Sequence, residues 1–265
     1  MSGKSDSTGV KSAARVLLIF EYFEKMRSPR TLSEIAHDMD YPVSSTLALL
    51  RSINSMGYLN YDSEKKTYSP SIRFSILGEW IRDQLFEGSA IEQMMEHLAT
   101  ITQESVLLGT QNGLRIQQVR IVHTAQSLSY APPVGTWRPL LRSSAGRVLL
   151  SKQSEEEVVK AVERINALGS DEGRVFDIGD VLKDIRSVRK NGYSYSSNVF
   201  VKGAAIVSVA LPEHAGIVPM AISVAGPTSR VDKDTIPELL DHIHAAIEEF
   251  LGDARSKTSE ARSAQ

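Results

Sequence analysis

Apolar residues recur at three- and four-residue spacing in the first third of the chain, and this spacing predicts short amphipathic helices. The first helix is predicted within KSAARVLLIFEYFEKM, residues 11–26. The residues expected on its inward face are Val16, Leu17, Phe20 and Phe23. The segment SPRT then ends this helix.

The second helix is predicted to start after Thr31. Thr31 and Glu34 have the spacing of a capping box, in which two side chains satisfy free amides at a helix start. This helix ends near Met39, and its inward residues are Leu32, Ile35 and Ala36. After the turn DYP, a third helix opens at Ser44 and Ser45. Its expected inward residues are Val43, Leu47, Leu50 and Ile53.

The outer face of the third helix has an unusual composition. A solvated helix normally exposes charged side chains, but this face is predicted to carry Ser44, Ser45, Thr46 and Ala48. Short side chains suit a helix that enters a DNA major groove about 12 Å wide. Hydroxyls and helix N-terminal amides bind phosphate oxygens, and Arg51 can reach a guanine edge or a phosphate.

Residues 56–71, MGYLNYDSEKKTYSPS, predict two short strands around a charged turn that contains Lys65 and Lys66. Three helices followed by such a hairpin form a winged helix-turn-helix, which predicts DNA binding. The alternative is a small helical bundle whose third helix only packs. The candidate DNA-binding residues are Thr31, Pro42, Ser44, Ser45, Thr46, Ala48, Arg51, Lys65 and Lys66.

A different pattern follows. SIRFSILGEWIRDQLF, residues 71–86, predicts a linker helix in which Trp80 and Phe86 either anchor a dimer or pack within their own chain. A hairpin is predicted at Asn112-Gly113, because both residues tolerate the positive φ of a type I′ turn. Strands are predicted in AAIVSVALP and VPMAISVAG. Helices are predicted at 92–102, 144–151, 154–165, 177–190 and 233–251, and Asn191-Gly192 should cap the fourth of these. Because helices and strands do not alternate strictly, the fold class is α+β with a largely antiparallel sheet.

Composition narrows the function classes. The 265 residues carry a net charge of only −2, so DNA binding would depend on a local patch rather than a global field. The absence of cysteine excludes disulfides, thiolate metal sites and a cysteine nucleophile, and it fits a reducing cytoplasm. The N-terminus lacks the apolar core of a signal peptide, and no apolar run approaches the roughly 20 residues of a membrane span. We therefore expect a cytoplasmic protein without a membrane partner.

Catalytic chemistry has little support in the sequence. The chain lacks the common nucleophile, zinc-protease, dinucleotide and phosphate-loop motifs. Its six histidines are scattered, and His242 and His244, two positions apart on a helix, do not share a face. We predict no enzyme activity, no catalytic residue, no metal and no cofactor.

Several segments resemble the isocitrate lyase regulator (IclR) family of bacterial transcription factors. SAARVLLIFEYF, TLSEIAHDMDYPVSSTLALLRSINSMGYL and YSPSIRFSILG resemble its DNA-binding domain. PLLRSSAGRVLLS, IRSVRKNGYSY and ISVAGPTSR resemble its effector domain. The resemblance implies a winged helix-turn-helix, a linker helix and a GAF-like ligand domain, assembled as a dimer or a dimer of dimers. It places the DNA-reading helix at 42–52, a pocket loop at 138–146 and a further pocket strand at 196–206.

The expected domains are a disordered tail (1–10), a winged helix-turn-helix (11–70), a linker helix (71–87), a GAF-like effector domain (88–252) and a second disordered tail (253–265). The expected partners are double-stranded operator DNA, a small organic acid and a second copy of the chain, with RNA polymerase as a further candidate. The rival hypothesis is a GAF-like sensor or interaction protein that does not bind specific DNA. A gel-shift assay separates the two.

One part of the expected pocket departs from the family pattern. Where the family has an acidic residue, a Glu, a Gly and often a Cys or Ser, this chain has Ser196, Val199, Gly203 and Ile206. The pocket is therefore expected to be less polar, which puts a two- or three-carbon keto acid effector in doubt.

A carboxylate with an apolar body, such as an aromatic acid, fits the remaining residues better. Arg138 and Arg142 would pair its carboxylate, and Ser143, Ser144 and Ala145 open a helix whose free amides favour an anion. Leu140, Ile206 and Tyr130 would form the apolar walls. The alternative is that both arginines face solvent or pair with acids at a subunit interface. The candidate effector-binding residues are Tyr130, Arg138, Leu140, Arg142, Ser143, Ser144, Ala145, Ser196 and Ile206.

Overall fold

The computed structural model describes residues 10–78, 89–124, 130, 132–216 and 218–252. The chain forms two compact units, Met1–Arg82 and Asp83–Gln265. Residues 1–9 of the expected tail at 1–10 lie outside the described residues, as do the expected tail at 253–265 and most of the expected linker helix with Trp80 and Phe86. No helix in the described part of the chain is long and apolar enough to cross a membrane.

The first unit is a winged helix-turn-helix, as predicted. Its elements are α1 (Lys11–Met26), β1 (Arg30–Thr31), α2 (Leu32–Asp38), α3 (Val43–Ser55), β2 (Leu59–Asp62), β3 (Thr67–Pro70) and α4 (Ile72–Leu77). The strands form an antiparallel sheet in the order β1-β3-β2. The pair β2–β3 is the predicted wing, whereas the two-residue strand β1 has no signal in the sequence.

The helices of this unit enclose a small core. The buried side chains are Ile19, Tyr22, Phe23, Ile35, Leu50, Ile53, Leu59 and Tyr68. The predicted capping box is present, because Thr31 Oγ1 accepts from the Glu34 amide at 3.3 Å and Glu34 Oε2 accepts from the Thr31 amide at 2.8 Å. Tyr22 Oη donates to Asp38 at 2.8 Å and ties α1 to α2. Burial, and then this hydrogen bond, raise the pKa of Tyr22 to about 12.

Three predicted orientations in this unit are wrong. Leu17 is 62% exposed, because it lies two positions, about 200° around the helix, from the buried Ile19. Val43 is 55% exposed, since it begins α3 and its turn projects past the core. Thr46 is 0% exposed rather than on the outer face. Its burial is possible because its hydroxyl donates to the Pro42 carbonyl at 3.0 Å, which satisfies its polar group.

The second unit contains a six-stranded sheet in the order β6-β5-β4-β9-β8-β7, and every neighbouring pair is antiparallel, as predicted. Its strands are β4 (Ser105–Asn112), β5 (Arg115–Val122), β6 (Trp137–Pro139), β7 (Tyr193–Ser197), β8 (Ala204–Ala210) and β9 (Met220–Pro227). Its helices are α5 (Ala90–Thr102), α6 (Ser144–Leu150), α7 (Glu155–Leu168), α8 (Ile178–Asn191) and α9 (Ile236–Leu251), with a short 3₁₀ turn at Glu213–Ala215.

The two faces of the sheet have different coverings. On one face, Val106, Leu108, Ile222 and Val224 pack against α5 and α9 in the largest core. On the other face, Ile116 and Ala221 pack against α6, α7 and α8 in a second core. Further along that second face, Leu107, Ile121 and Ala225 form a small apolar cluster with Tyr130 and Ile206. The helices do not fill this end of the face, and a cavity lies there.

The turn between β4 and β5 and the segment 196–206 differ from prediction, whereas the end of α8 agrees with it. Asn112 pairs with Arg115, so the two-residue loop is Gly113-Leu114, and only Gly113 of the predicted pair has a positive φ, +59°. The predicted strand 196–206 is a hairpin instead, because β7 ends at Ser197 and β8 begins at Ala204. The predicted cap of α8 is confirmed, with Gly192 at φ +79°.

Replacement of Gly146 should strongly destabilise the protein. A Cβ atom at this position would lie 1.9 Å from the Leu140 carbonyl oxygen, which is backbone and cannot swing away. We expect Gly146→Ala to lower the free energy of unfolding by about 3 kcal/mol or more, as a severe case of overpacking. Urea unfolding followed by circular dichroism measures this loss. At Gly78, the added Cβ would meet its nearest atom at an ordinary 3.9 Å, so Gly78→Ala is the matched control. Equal effects of the two changes would contradict this account of Gly146.

Candidate nucleic-acid interface and ligand cavity

The first unit has a groove between α3, the start of α2 and the wing. Its empty volume is about 1310 Å³, counted with the open solvent at its mouth. The lining residues are Thr31, Leu32, Ser33, Leu47, Arg51, Asn54, Ser55, Tyr61, Lys65, Lys66 and Tyr68. The sequence analysis missed Ser33, Asn54, Ser55 and Tyr61. Asn54 could have been found, because it lies three residues after Arg51 and shares its helix face.

Three cations of this groove have no salt-bridge partner in the described part of the chain. Within residues 10–78, the side chains of Arg51, Lys65 and Lys66 form no salt bridge and no hydrogen bond. The wing turn that carries the two lysines is held by Asp62, whose carboxylate accepts from the amides of Lys65 at 3.0 Å and Glu64 at 2.9 Å. The Lys65 amide contributes most to holding the pKa of Asp62 below its usual range. The groove therefore has a local positive charge that the net charge of the chain conceals.

Most of the other DNA-binding candidates on α3 are accessible. Pro42, Ser44 and Ala48 are exposed, and Ser45 is half-buried with its hydroxyl donating to the Pro42 carbonyl at 2.9 Å. Thr46 is the exception, since its full burial removes it from any surface that DNA could reach. The exposed first turns of α3 thus carry only short side chains, whereas the cations lie further along the helix and on the wing.

The second unit has a cavity at the end of the sheet face that the helices leave uncovered. Its empty volume is about 490 Å³, counted with the open solvent at its mouth. The part that the centre of a water molecule can occupy is only about 30 Å³. The cavity is thus narrow in this state. The lining residues are Leu107, Gln118, Tyr130, Pro132, Arg138, Ser143, Ser144, Ala145, Ser196, Val199, Phe200, Val201, Ala204, Ala205 and Ile206.

Polar groups lie at separate places on this wall. Ser144 and Ser196 share a hydrogen bond of 2.8 Å between their hydroxyl oxygens. Ser143 caps α6, and its Oγ accepts from the Gly146 amide at 2.9 Å, so that amide is already occupied. The Arg138 guanidinium donates to the Tyr130 hydroxyl at 3.2 Å and lies 4.8 Å from the centre of the Phe200 ring. Arg138 is therefore stacked on the hairpin loop between β7 and β8.

Two predicted pocket residues lie elsewhere. Leu140 is 0% exposed and packs in the second core, because the chain turns into α6 directly after β6. Arg142 pairs with Asp171 at 3.0 Å and with Glu172 at 3.2 Å, both within the same unit. Burial is the largest single influence and by itself would lower the pKa of Arg142, but the hydrogen bonds and charges of Asp171 and Glu172 together outweigh it and raise the pKa. Arg142 is thus committed to a structural ion pair rather than to the cavity.

Gln118 was not predicted from the sequence, whereas Val199, Phe200 and Val201 fall within the predicted pocket segment at 196–206. Gln118 did carry a signal, because it is polar at a position of β5 that lies two residues from the inward Ile116. It is 4% exposed, and its Oε1 has no hydrogen-bond partner among the described residues. The loop residues reach the cavity as part of the hairpin loop between β7 and β8 rather than as part of a continuous strand.

The chain combines a winged helix that has a cationic groove with an antiparallel domain that contains a cavity. This combination defines a transcriptional regulator with a DNA-binding and an effector-binding domain. The chain belongs to the IclR family. Residues 88–250 match the family model described as the bacterial transcriptional regulator IclR C-terminal domain, and residues 12–63 match the IclR helix-turn-helix domain. The resemblance found in the sequence is thereby confirmed.

Curated and solved relatives agree with this assignment. The chain is 26% identical over 229 residues to the HTH-type transcriptional repressor AllR of Escherichia coli K12, which covers 85% of this chain and 83% of the relative. The structure of Thermotoga maritima IclR matches 92% of this chain and 99% of its own at a TM-score of 0.65 and 19% identity. An IclR homolog from Microbacterium hydrocarbonoxydans, solved in complex with 4-hydroxybenzoate, matches 91% of this chain and 98% of its own at a TM-score of 0.69 and 19% identity. These relatives are regulators rather than enzymes.

The Arg142 ion pair should matter for stability. Asp171 is almost fully buried, so Arg142→Ala would leave its carboxylate unpaired, and we expect a loss of about 3 kcal/mol in the free energy of unfolding. The exposed pair Arg186–Glu155 offers the matched control, because Arg186→Ala should cost less than about 1 kcal/mol. Urea unfolding compares the two variants. Similar small losses in both would show that Arg142 is free to serve another role.

Proposed function

We propose that this regulator binds operator DNA through the groove of its first unit and responds to a small aromatic acid in the cavity of its second unit. The observation that supports the DNA part best is the set of three cations on one groove that have no salt-bridge partner among the described residues. Such groups gain from phosphate contacts without breaking an existing ion pair. We further propose a cytoplasmic homodimer or dimer of dimers that binds a pseudo-palindrome, with RNA polymerase as a candidate partner.

The proposed DNA contacts divide into two kinds. The exposed start of α3, with Ser44 and Ala48, allows close approach to the major groove, and Arg51 would contact a guanine or a phosphate. Lys65 and Lys66 on the wing would contact the backbone. Acidic groups near the groove are already engaged, since Glu34 accepts from Thr31 and Arg30 and Asp38 accepts from Tyr22. The positive charge of Arg30 thereby reduces the repulsion between Glu34 and phosphates.

The cavity favours an acid with an apolar body. Arg138 is the one charged residue among the described lining residues, and no carboxylate of the described residues pairs with it. A guanidinium in this state can bind both oxygens of a ligand carboxylate. Leu107, Phe200 and Ile206 supply apolar walls. The 4-hydroxybenzoate held by the Microbacterium homolog supports an aromatic acid over a two- or three-carbon keto acid.

Ligand entry would require the hairpin loop to move. The space open to the centre of a water molecule is only about 30 Å³, which is too small for an aromatic ring. Phe200 must therefore move away from Arg138 when the ligand binds. Binding would then favour one position of the loop at residues 198–203 over another. The effect on DNA affinity can be no larger than this difference in ligand affinity between the two states. We propose the linker at residues 71–87 as the element that transmits the change.

The DNA contacts can be tested with duplexes selected from a random pool by the wild-type protein. Arg51→Ala should weaken binding by about 1–3 kcal/mol at one base position if it reads guanine, or uniformly with a smaller salt slope if it holds phosphate. Lys65→Ala with Lys66→Ala should weaken binding to all duplexes alike and reduce the salt slope by roughly two. Fluorescence anisotropy at several salt concentrations measures both quantities.

Lys25→Ala is the control for these variants, since it removes an exposed charge of α1 outside the groove and should leave binding unchanged. If the groove variants bind all duplexes as the wild type does, these residues do not contact DNA. If the wild type selects no duplex at all, the rival hypothesis of a sensor without specific DNA binding gains support.

The effector class can be tested by calorimetry with benzoate, 4-hydroxybenzoate, pyruvate and glyoxylate. We expect the aromatic acids to bind the wild type more tightly than the keto acids. Arg138→Ala should weaken their binding by about 1.5–3 kcal/mol, because a charged hydrogen bond is lost. Arg174→Ala is the control, since this exposed arginine lies outside the cavity wall. Tight binding of pyruvate or glyoxylate, or aromatic binding that is insensitive to Arg138, would reject the proposed class.

A further inference from the structure

Gln118 is an exception among the buried polar groups of the cavity wall. The hydroxyls of Ser144 and Ser196 satisfy each other, and the Ser143 hydroxyl caps α6. The Gln118 side chain is 4% exposed, and its Oε1 is buried without a hydrogen-bond partner in the described part of the chain. An unsatisfied buried acceptor costs stability, so its presence at a cavity indicates a partner that is supplied from outside.

The strand geometry directs this carboxamide into the cavity. Leu108 pairs with Arg120 while Gly109 pairs with Gln118, so Val119 is the extra residue of a β-bulge in β5. Bulges redirect neighbouring side chains. A Cβ built on Gly109 would lie 3.5 Å from Gln118 Oε1, so the carboxamide extends over Gly109 on the adjacent strand. The absence of a side chain at Gly109 leaves the space that the carboxamide occupies, on the same sheet face as Leu107.

The polar groups of the wall are separated by an apolar floor. Gln118 lies on β5 and Ser196 lies on β7, and β4, β9 and β8 run between them. Leu107 on β4 and Ile206 on β8 contribute the apolar surface in between. A ligand that lies along this floor therefore meets a hydrogen-bonding group at its β5 end in addition to the guanidinium of Arg138.

We infer that Gln118 determines specificity by binding a polar substituent of the effector, and that the effector is a hydroxylated rather than an unsubstituted aromatic acid. This inference rests on the proposed function of the cavity. A carboxamide can accept through its oxygen or donate through its nitrogen after rotation of its terminal torsion, and a hydroxyl can complement either orientation. An unsubstituted ring would leave the buried carboxamide without a partner, and such ligands are rejected strongly.

The first test compares benzoate with the 2-, 3- and 4-hydroxybenzoates by calorimetry. We expect at least one hydroxylated isomer to bind the wild type about tenfold or more tightly than benzoate. In Gln118→Leu this preference should shrink to about threefold or less, while benzoate binds at least as tightly as before. Gln117→Leu, at the adjacent position of β5 outside the cavity wall, should retain the preference. Equal binding of benzoate and every isomer to the wild type, or a preference retained by Gln118→Leu, would overturn the inference.

A second measurement does not depend on the acid class. Without ligand, Gln118→Leu should raise the Tm, because it removes an unsatisfied buried acceptor at similar volume, whereas Gln117→Leu should not. A lowered Tm in Gln118→Leu would show that the carboxamide has a structural partner, and the inference would fall. If no aromatic acid binds the wild type but Gln118→Leu is stabilised, the acid class of the proposed function is rejected and the assignment of Gln118 as a ligand-binding group is still supported.

Discussion

The close approach of Gly146 to the Leu140 carbonyl determines the arrangement of the effector domain around its cavity. Because this contact leaves no space for a side chain, the first turn of α6 lies directly on the backbone that follows β6. On either side of this contact, Leu140 packs in the second core, and Ser144 hydrogen-bonds Ser196 on the cavity wall. The position of the cavity wall and the packing of the second core therefore depend on a single backbone contact.

The two arginines of this segment, four residues apart, have different environments and different roles. Arg142 is held by Asp171 and Glu172 and also lies 5.2 Å from the centre of the Phe200 ring. Arg138 lies 4.8 Å from the same ring, and among the described residues its only hydrogen-bond partner is the neutral Tyr130. The ring is thus in contact with one fixed cation and one that can change partner. A ligand carboxylate that attracts Arg138 would weaken one of the two arginine contacts of the Phe200 ring.

Local chemistry made much of the fold predictable from the sequence. The capping box at Thr31 and Glu34, the cap at Gly192 and the periodicity of most helices depend on neighbouring residues, and the structure contains them. The orientation of Thr46 was not predictable, because it depends on where α3 begins relative to the core. The role of Arg142 depends on Asp171, which is distant in the sequence. The role of Gln118 depends on the lack of a hydrogen-bond partner, and its side chain reaches over Gly109 only because β5 has a bulge. Spacing along one strand or helix contains no information about such contacts.

One face of the six-stranded sheet packs the largest core, and the other face binds the ligand in the proposed function. The largest core lies on the face covered by α5 and α9, and the cavity lies on the opposite face. Side chains alternate between these faces, so a substitution at a cavity position such as Ile206 changes a different face from its strand neighbour Val207, which packs in the largest core. Mutations that alter ligand preference can therefore accumulate with little loss of stability. A domain built in this way can acquire a response to a new metabolite through few genetic steps.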